Sequence, residues 1–313
     1  MAILQIIIPE RMIDQRIDTA LTEMLPDYSR SKITTWIKSG DALINNKTFK
    51  PKDKVIGNET VRLILKQKDN NHWLPEKLNL DIIFEDEDII IINKPFGLVT
   101  HPGAGNWSGT LANALLHHDS NLSNLDRAGI VHRLDKNTSG LMVVSKNIKS
   151  QKFLVEQLQT HSVEREYSAI VYGHMISGGS INEPIGRDSK DRIKQSISAK
   201  GKEAKTHYRA IDRFKNHTHV KVILETGRTH QIRVHLSYIG HPLIGDPMYG
   251  GRVRFPKKAS QELKDKLTNF QRLALHSKKL TLIHPVSGKS MSWKADLPSD
   301  MQELLNILRK FDS

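Results

Sequence analysis

The sequence predicts an α+β protein in two parts: a small basic α/β unit at the N-terminus, then a larger domain on a mixed, largely antiparallel sheet. Three observations carry this. Strand-like runs outnumber helical ones in the long C-terminal part. Several of those runs are joined by short turns, of which Pro285-Val286-Ser287-Gly288 is the clearest. The stretch Lys66–Leu78 (KQKDNNHWLPEKL) is charged, poor in apolar residues and broken by Pro75, as a connection between domains would be. The expected limits are residues 10–70 for the small unit, 71–79 for the linker and 80–313 for the large domain.

In order along the chain, the apolar run Ile3–Ile8 reads as a first strand. Ile17, Leu21 and Leu25 fall at helical spacing, giving an amphipathic helix over Asp18–Leu25. Ser29 is a candidate N-cap for a second helix, Arg30–Lys38, that ends at Gly40. Short strands follow at Ala42–Ile44 and Thr60–Leu65. Beyond the linker, strands are expected at Asp81–Glu85, Ile89–Asn93, Leu141–Lys146, Glu166–Tyr172, Lys205–Asp212, His219–Glu225, Leu280–His284 and Ser290–Lys294. Helices are expected at Thr110–His118, Ile148–Thr160, Thr229–Tyr238, Ser260–Asn269 and Asp300–Lys310.

Composition narrows the function. The 313 residues include 47 Lys and Arg against 34 Asp and Glu, a formal charge of +13, which favours an anionic partner, nucleic acid first among them. No cysteine is present, which removes disulfides, thiol nucleophiles and Cys-ligated zinc. The N-terminal apolar run lacks a basic flank and is too short for a secretion signal or a membrane span. A soluble, cytoplasmic protein with no membrane partner is expected, and monomer is the default state. The 15 histidines do not make a metal site: His230 and His235 lie five apart, on different helix faces, unlike the i, i+4 pair of a zinc helix. Pro102-Gly103-Ala104-Gly105 lacks the continuation of a phosphate-binding fingerprint and reads as a tight loop near the active site.

In the small unit, Arg30, Lys32 and Lys38 share one short helix, where cations can neutralise phosphates, or simply line a solvated face. Arg16-Ile17-Asp18, Ser29-Arg30-Ser31, Gly40, Asn45 and Val55 together resemble the S4 RNA-binding domain. The glycine usual after the Asn is replaced by Asn46, which also tolerates left-handed backbone. The resemblance implies RNA contacts from Arg16, Ser29, Arg30, Lys32 and Lys38.

The most informative segment is Gly129-Ile130-Val131-His132-Arg133-Leu134-Asp135-Lys136-Asn137-Thr138-Ser139-Gly140-Leu141-Met142-Val143-Val144: a carboxylate in a polar turn between two apolar runs, flanked by cations. Taken alone it is also an ordinary Asx-type turn. His132-Arg133-Leu134-Asp135 with Thr138-Ser139-Gly140-Leu141 resembles the signature of the RluA/RluD family of pseudouridine synthases. Asn93-Lys94-Pro95, His101–Gly105, Arg165-Glu166-Tyr167, Gly227–His235, Gly240–Pro247, and Leu275-His276 ahead of His284-Pro285 resemble family segments in the expected order.

That resemblance implies that Asp135 is the catalytic aspartate, that Arg133 enters the RNA to expel the target nucleotide, that Tyr167 stacks on the flipped base, and that Arg233 pairs with Asp135 beside apolar Ile232. His132 and Arg228 complete the expected substrate contacts. It also implies a substrate, 23S ribosomal RNA or a large-subunit precursor, and within it uridines of the helix 69 stem-loop. Pseudouridine formation breaks the bond from ribose C1′ to uracil N1 and rejoins the base through C5, so neither cofactor nor metal is needed. A carboxylate can act as nucleophile or base. Burial disfavours its charged form, whereas a guanidinium at contact distance, with its planar fork, favours it. Whether Asp135 attacks C1′, adds to uracil or takes a ribose proton stays open at this level. So do a different RNA target, a non-catalytic S4-type assembly factor, and a nuclease, although a metal-dependent nuclease would call for more carboxylates than Asp135 and Asp246 offer.

Overall fold

The structure is a computed structural model describing residues 2–26, 28, 30–65, 73–103, 105–191 and 193–312. It divides into two compact units, Met1–His72 and Trp73–Ser313. In the first, β1 (Ala2–Ile7), α1 (Ile17–Met24), α2 (Arg30–Ser39), β2 (Ala42–Ile44) and β3 (Thr60–Leu65) occupy the expected segments, and the strands form an antiparallel sheet in the order β1-β3-β2. The helical stripe Ile17, Leu21 and Leu25 is buried with Ile33 and Ile37 of α2 and with Val61 and Leu63 of β3, so both helices share one core with the sheet. Gly40 follows α2 with φ of +77°, a helix-ending conformation that glycine adopts at no steric cost. Asn45 and Asn46 both have positive φ (46° and 63°) and bring Lys47 back against Ile44 in a tight two-residue turn. The expected cap Ser29 lies outside the described residues.

The second unit runs β4 (Ile82–Glu85), β5 (Ile89–Lys94), α3 (Leu111–His118), β6 (Ser139–Ser145), α4 (Ile148–Gln159), β7 (Glu164–Tyr172), β8 (Gly179–Asn182), β9 (Ile185–Arg187), β10 (Gln195–Ile197), β11 (Lys205–Arg213), β12 (His217–Leu224), α5 (Gln231–Tyr238), α6 (Gln261–Asn269), β13 (Leu275–Ile283), β14 (Ser290–Lys294) and α7 (Ser299–Phe311). A nine-stranded sheet has the order β4-β5-β6-β13-β7-β12-β11-β8, with β14 paired to β13; β9 and β10 form a separate ribbon. Every pairing in the large sheet is antiparallel except β6 with β13.

Both sheet faces are covered near the middle. In β5 and β6 the two-residue period sends Ile89, Ile91, Leu141 and Val143 into one core, and Ile90, Ile92, Met142 and Val144 into the other. The strand Ile89-Ile90-Ile91-Ile92 is therefore apolar throughout rather than alternating. Three features differ from the expectation. Strands β8 to β10 were not foreseen, being short and, in Gly179–Asn182, mostly exposed. β13 begins at Leu275, earlier than expected, because its first half is buried against β6 and β7. Residues 73–80 carry no regular structure, but they are bound to the second unit rather than free: Asn113 donates to Leu74 O (2.8 Å), and the Glu76 carboxylate accepts from Gly109 N (2.9 Å). Residues 66–72 of the expected connection lie outside the described set.

Candidate active site

Asp135 stands in the turn that precedes β6, closed by Thr138 N donating to Asp135 O (3.0 Å). The carbonyls on either side of it are tied down. Thr100 Oγ1 donates to Leu134 O (2.9 Å). Lys136 O accepts from Gly97 N (2.8 Å) and from the Lys94 ammonium (3.3 Å), which also donates to Pro95 O (2.8 Å) and Leu98 O (2.9 Å). Lys94 is fully buried, and burial pulls its pKa down to about 7, with the Asp135 charge opposing and Arg272 adding to the fall. Two residues into β6's register with β13, Gly140 has φ of +112°, and a Cβ there would lie 2.3 Å from Ser277 O. A larger residue could not bring the parallel pair this close.

Opposite the turn, α5 presents Arg233, which is buried. Its Nη1 donates to Asp135 Oδ2 at 3.2 Å, so the expected pair is present. The fork itself is spent elsewhere: Nε and Nη2 donate to Asp246 Oδ2 (2.8 Å) and Oδ1 (3.0 Å), and Asp246 also accepts from the backbone of Met248 and Tyr249. The Tyr249 ring lies against the guanidinium, 4.9 Å from its carbon. Burial works against the Arg233 charge, but Asp246 first and then Asp135 more than offset it, leaving its pKa raised. His230, at the start of α5 with φ of +58°, places Nε2 3.9 Å from Asp135 Oδ1, while its Nδ1 meets Tyr249 OH (2.9 Å). Burial lowers its pKa despite Asp135, which favours the uncharged ring.

Asp135, His230 and Arg233 line a cavity of about 550 Å³, inside the usual range for small-molecule sites. All seven expected catalytic and substrate residues line it: His132, Arg133, Asp135, Tyr167, Arg228, Ile232 and Arg233. Tyr167, buried in β7, has its phenol pKa raised chiefly by burial, with Arg165 opposing the rise. His132 is built into the frame: Val143 N donates to its Nε2 (3.0 Å), and burial, then Arg165, pulls its pKa down to about 3. It is a neutral acceptor. Arg228 spends its Nε on Glu203 O (2.8 Å). Arg133 is exposed, with no hydrogen-bond or ion-pair partner among the described residues.

Sequence reasoning gave no role to Lys94, Arg165, His230 or Tyr249 and considered Asp246 only as a second carboxylate of the site when a nuclease was weighed. The usable signal was arithmetic: a guanidinium offers five donors, more than one carboxylate accepts. His235, expected on a different helix face from His230, is fully buried and bonds Thr206 Oγ1 and Glu183 O. Asp86, Asp88 and His284 gather ligand atoms within 4.8 Å, but none lines the cavity, and Asp86 and His284 are engaged with each other (2.8 Å). In the first unit, the buried Asp18 receives both Arg16 (Nε and Nη2, 3.1 Å each) and Arg30 (3.2 and 2.9 Å). Burial opposes the Asp18 charge, yet the two guanidiniums hold its pKa below the usual value. Lys32 lies over the Trp36 ring (5.6 Å), and Lys38 is exposed in the last turn of α2.

A single carboxylate held by a buried guanidinium, at the wall of a cavity lined with further arginines on a mixed sheet, suits an enzyme that acts on an anionic substrate. Residues 88–238 match the family described as RNA pseudouridylate synthase. The chain is 51% identical over 303 residues to ribosomal large subunit pseudouridine synthase D of Escherichia coli K12, covering 96% of this chain and 93% of that protein. It is 46% identical over 306 residues to the protein of the same name from Xanthomonas campestris, covering 98% and 92%. Among solved structures, human RNA pseudouridylate synthase domain containing 4 aligns with a TM-score of 0.57 at 27% identity, over 73% of this chain and 92% of that one. Human RNA pseudouridylate synthase domain containing 1 shares the fold, with a TM-score of 0.54 over 76% and 97%. The chain belongs to the RNA pseudouridine synthase family. Among the described residues no helix is long and apolar enough to cross a membrane.

Proposed function

We propose that the protein isomerises uridines of large-subunit 23S ribosomal RNA, within the helix 69 stem-loop, with Asp135 as nucleophile or base. The observation that carries the reading is that Asp135 is the only carboxylate among the described residues lining the cavity, and that it is held by a buried Arg233. The relatives named for the large ribosomal subunit support the substrate. A uridine must leave its stack before its C1′–N1 bond can be handled, at a cost of a few kcal/mol that pocket contacts offset. Arg133, exposed and without a partner among the described residues, is suited to enter the RNA in its place, and Tyr167 supplies the aromatic surface for the base. Ile232 provides the apolar wall beside Arg233. The N-terminal unit acts as an S4-type module whose exposed edges of Arg16 and Arg30, with Ser29, Lys32 and Lys38, meet phosphates. A cytoplasmic monomer working without cofactor or metal completes the reading.

The test is to map pseudouridines in ribosomal RNA from cells lacking the gene, and from the same cells given wild-type protein or Asp135→Asn. Loss of pseudouridine in the stem-loop, restored by wild type only, is expected. Unchanged stem-loop modification in the deletion would overturn the target; full restoration by Asp135→Asn would overturn the chemistry.

A further inference from the structure

Among the described residues, Arg165 is a buried cation with no ion-pair partner. It sits in β7, two residues from Tyr167, and both side chains line the cavity. Only 6% of it is accessible, and among the described residues its one hydrogen bond runs from Nη2 to the carbonyl oxygen of Glu225 (3.0 Å). Its Nε is buried with no partner at all. Among the described residues it makes no ion pair, and burial lowers its pKa, with only the Tyr167 phenol opposing the fall. A guanidinium so placed is costly, since burying a charge requires pairing or full hydrogen bonding. The fold also keeps room for it: Gly227, on the cavity wall, would with a Cβ stand 2.6 Å from Arg165 Nη1, although the backbone of Gly227 itself would accept a side chain. Asp135 does not discharge the cost: the guanidinium it pairs with is that of Arg233.

The geometry points to Arg165 as a catalytic residue that donates from its Nη1 edge to a carbonyl oxygen of the target uracil and stabilises the negative charge that develops there. The inference rests on the proposed reaction and adds a group to it. When the C1′–N1 bond breaks, its electron pair passes to N1 and is shared with O2 and O4. When C5 bonds to C1′, that pair is used again, the C5 proton is lost to solvent, and N1 takes up a proton, so the product is an isomer and no reductant or oxidant enters. If the carboxylate first adds to C6, the pair of the C5–C6 double bond moves to O4, so negative charge develops on that carbonyl oxygen. A preformed cation that reaches the oxygen strongly only in this charged state lowers the barrier without tightening ground-state binding.

The experiment compares wild type with Arg165→Lys, Arg165→Gln and Gly227→Ala in single-turnover reactions on the stem-loop RNA, with RNA affinity and melting temperature measured alongside. The RNA carries uridine, 2-thiouridine or 4-thiouridine at the target, because sulfur is the poorer acceptor. Arg165→Gln is expected to slow turnover about 10²- to 10³-fold, the scale seen when one oxyanion donor is removed, with affinity changed less than about threefold. Arg165→Lys should recover part of the loss. Gly227→Ala, which displaces the head without removing it, should slow turnover at unchanged melting temperature. At one of the two oxygens, sulfur should slow the wild type and leave Arg165→Gln no slower than it already is. Wild-type rates in Arg165→Gln, or equal penalties from both thiouridines in wild type and variant, would overturn the assignment. Should Arg165→Gln fail to fold, Gly227→Ala decides, and an unaltered rate there overturns it. Absence of product with wild-type protein would instead count against the proposed function itself.

Discussion

Asp246→Asn would remove the carboxylate that takes two donors of Arg233 while leaving a side chain of the same shape. The amide oxygen can still accept from the backbone of Met248 and Tyr249, so the loop that follows Asp246 keeps its turn and the loss isolates the charge. Arg233 would retain one charged partner, Asp135 at 3.2 Å, in a site where its side chain is 8% accessible and that of Asp246 is closed to solvent. Removing one member of a buried ion pair costs about 3–5 kcal/mol, because the other charge stays buried. Closure of the freed head onto Asp135 offsets a fraction of this. In a unit of roughly 150–250 residues each kcal/mol moves the melting temperature by about 2–4 °C, so a fall of about 6–20 °C is expected. The rate should drop as well, by about 10²-fold, since the fork sets the direction in which Nη1 meets the carboxylate. Thermal unfolding followed by circular dichroism, with single-turnover assays below the transition, reads both. A melting temperature within about 2 °C of wild type would refute the claim that Asp246 anchors Arg233.

Arg133→Ala should impair turnover more than it weakens RNA affinity, as read by single-turnover rates and filter binding; equal losses in both would contradict the flipping role. For Lys94, the folded pKa near 7 lies below the ordinary 10.5, so between those values the unfolded chain holds a proton that the folded chain has released. Stability attributable to Lys94 therefore rises with pH across that window, by up to about 1.4 kcal/mol per unit. Urea titrations of wild type and Lys94→Met should show their stability difference shifting toward the wild type from pH 7 to 10, and a flat difference would dismiss the shift. Gly140→Ala should cost about 3 kcal/mol or more, through left-handed strain and collision with Ser277, and calorimetry showing an unchanged transition would argue against the tight β6–β13 pairing.

Local chemistry in the sequence located the elements better than their partners. Ile89–Ile92, the Ile17–Leu25 stripe and the turn at Pro285–Gly288 each betray themselves through residue type and period. The parallel contact of β6 with β13 does not, because it joins segments more than a hundred residues apart and depends on Gly140 having no side chain. Short, exposed Gly179–Asn182 offers neither apolar alternation nor strong β-formers, so it becomes a strand only by pairing with β11. At the site, Asp135, Arg133, Tyr167 and Arg233 were legible as a motif and do meet at one cavity. The supporting groups were not: Lys94 and Arg165 look like ordinary surface cations until burial is known, and Asp246 looks like a turn residue until Arg233 is found against it.

Because Leu134 and Lys136 are each fastened through their carbonyls, the residue between them arrives at any encounter already aimed. Little orientational freedom is left for Asp135 to lose when RNA docks, so in the proposed reaction the protein contributes a fixed template and the nucleic acid supplies the motion. In that reaction, how cheaply each uridine can be unstacked and swung into place, a property of the RNA's own loops, would contribute to discrimination among uridines.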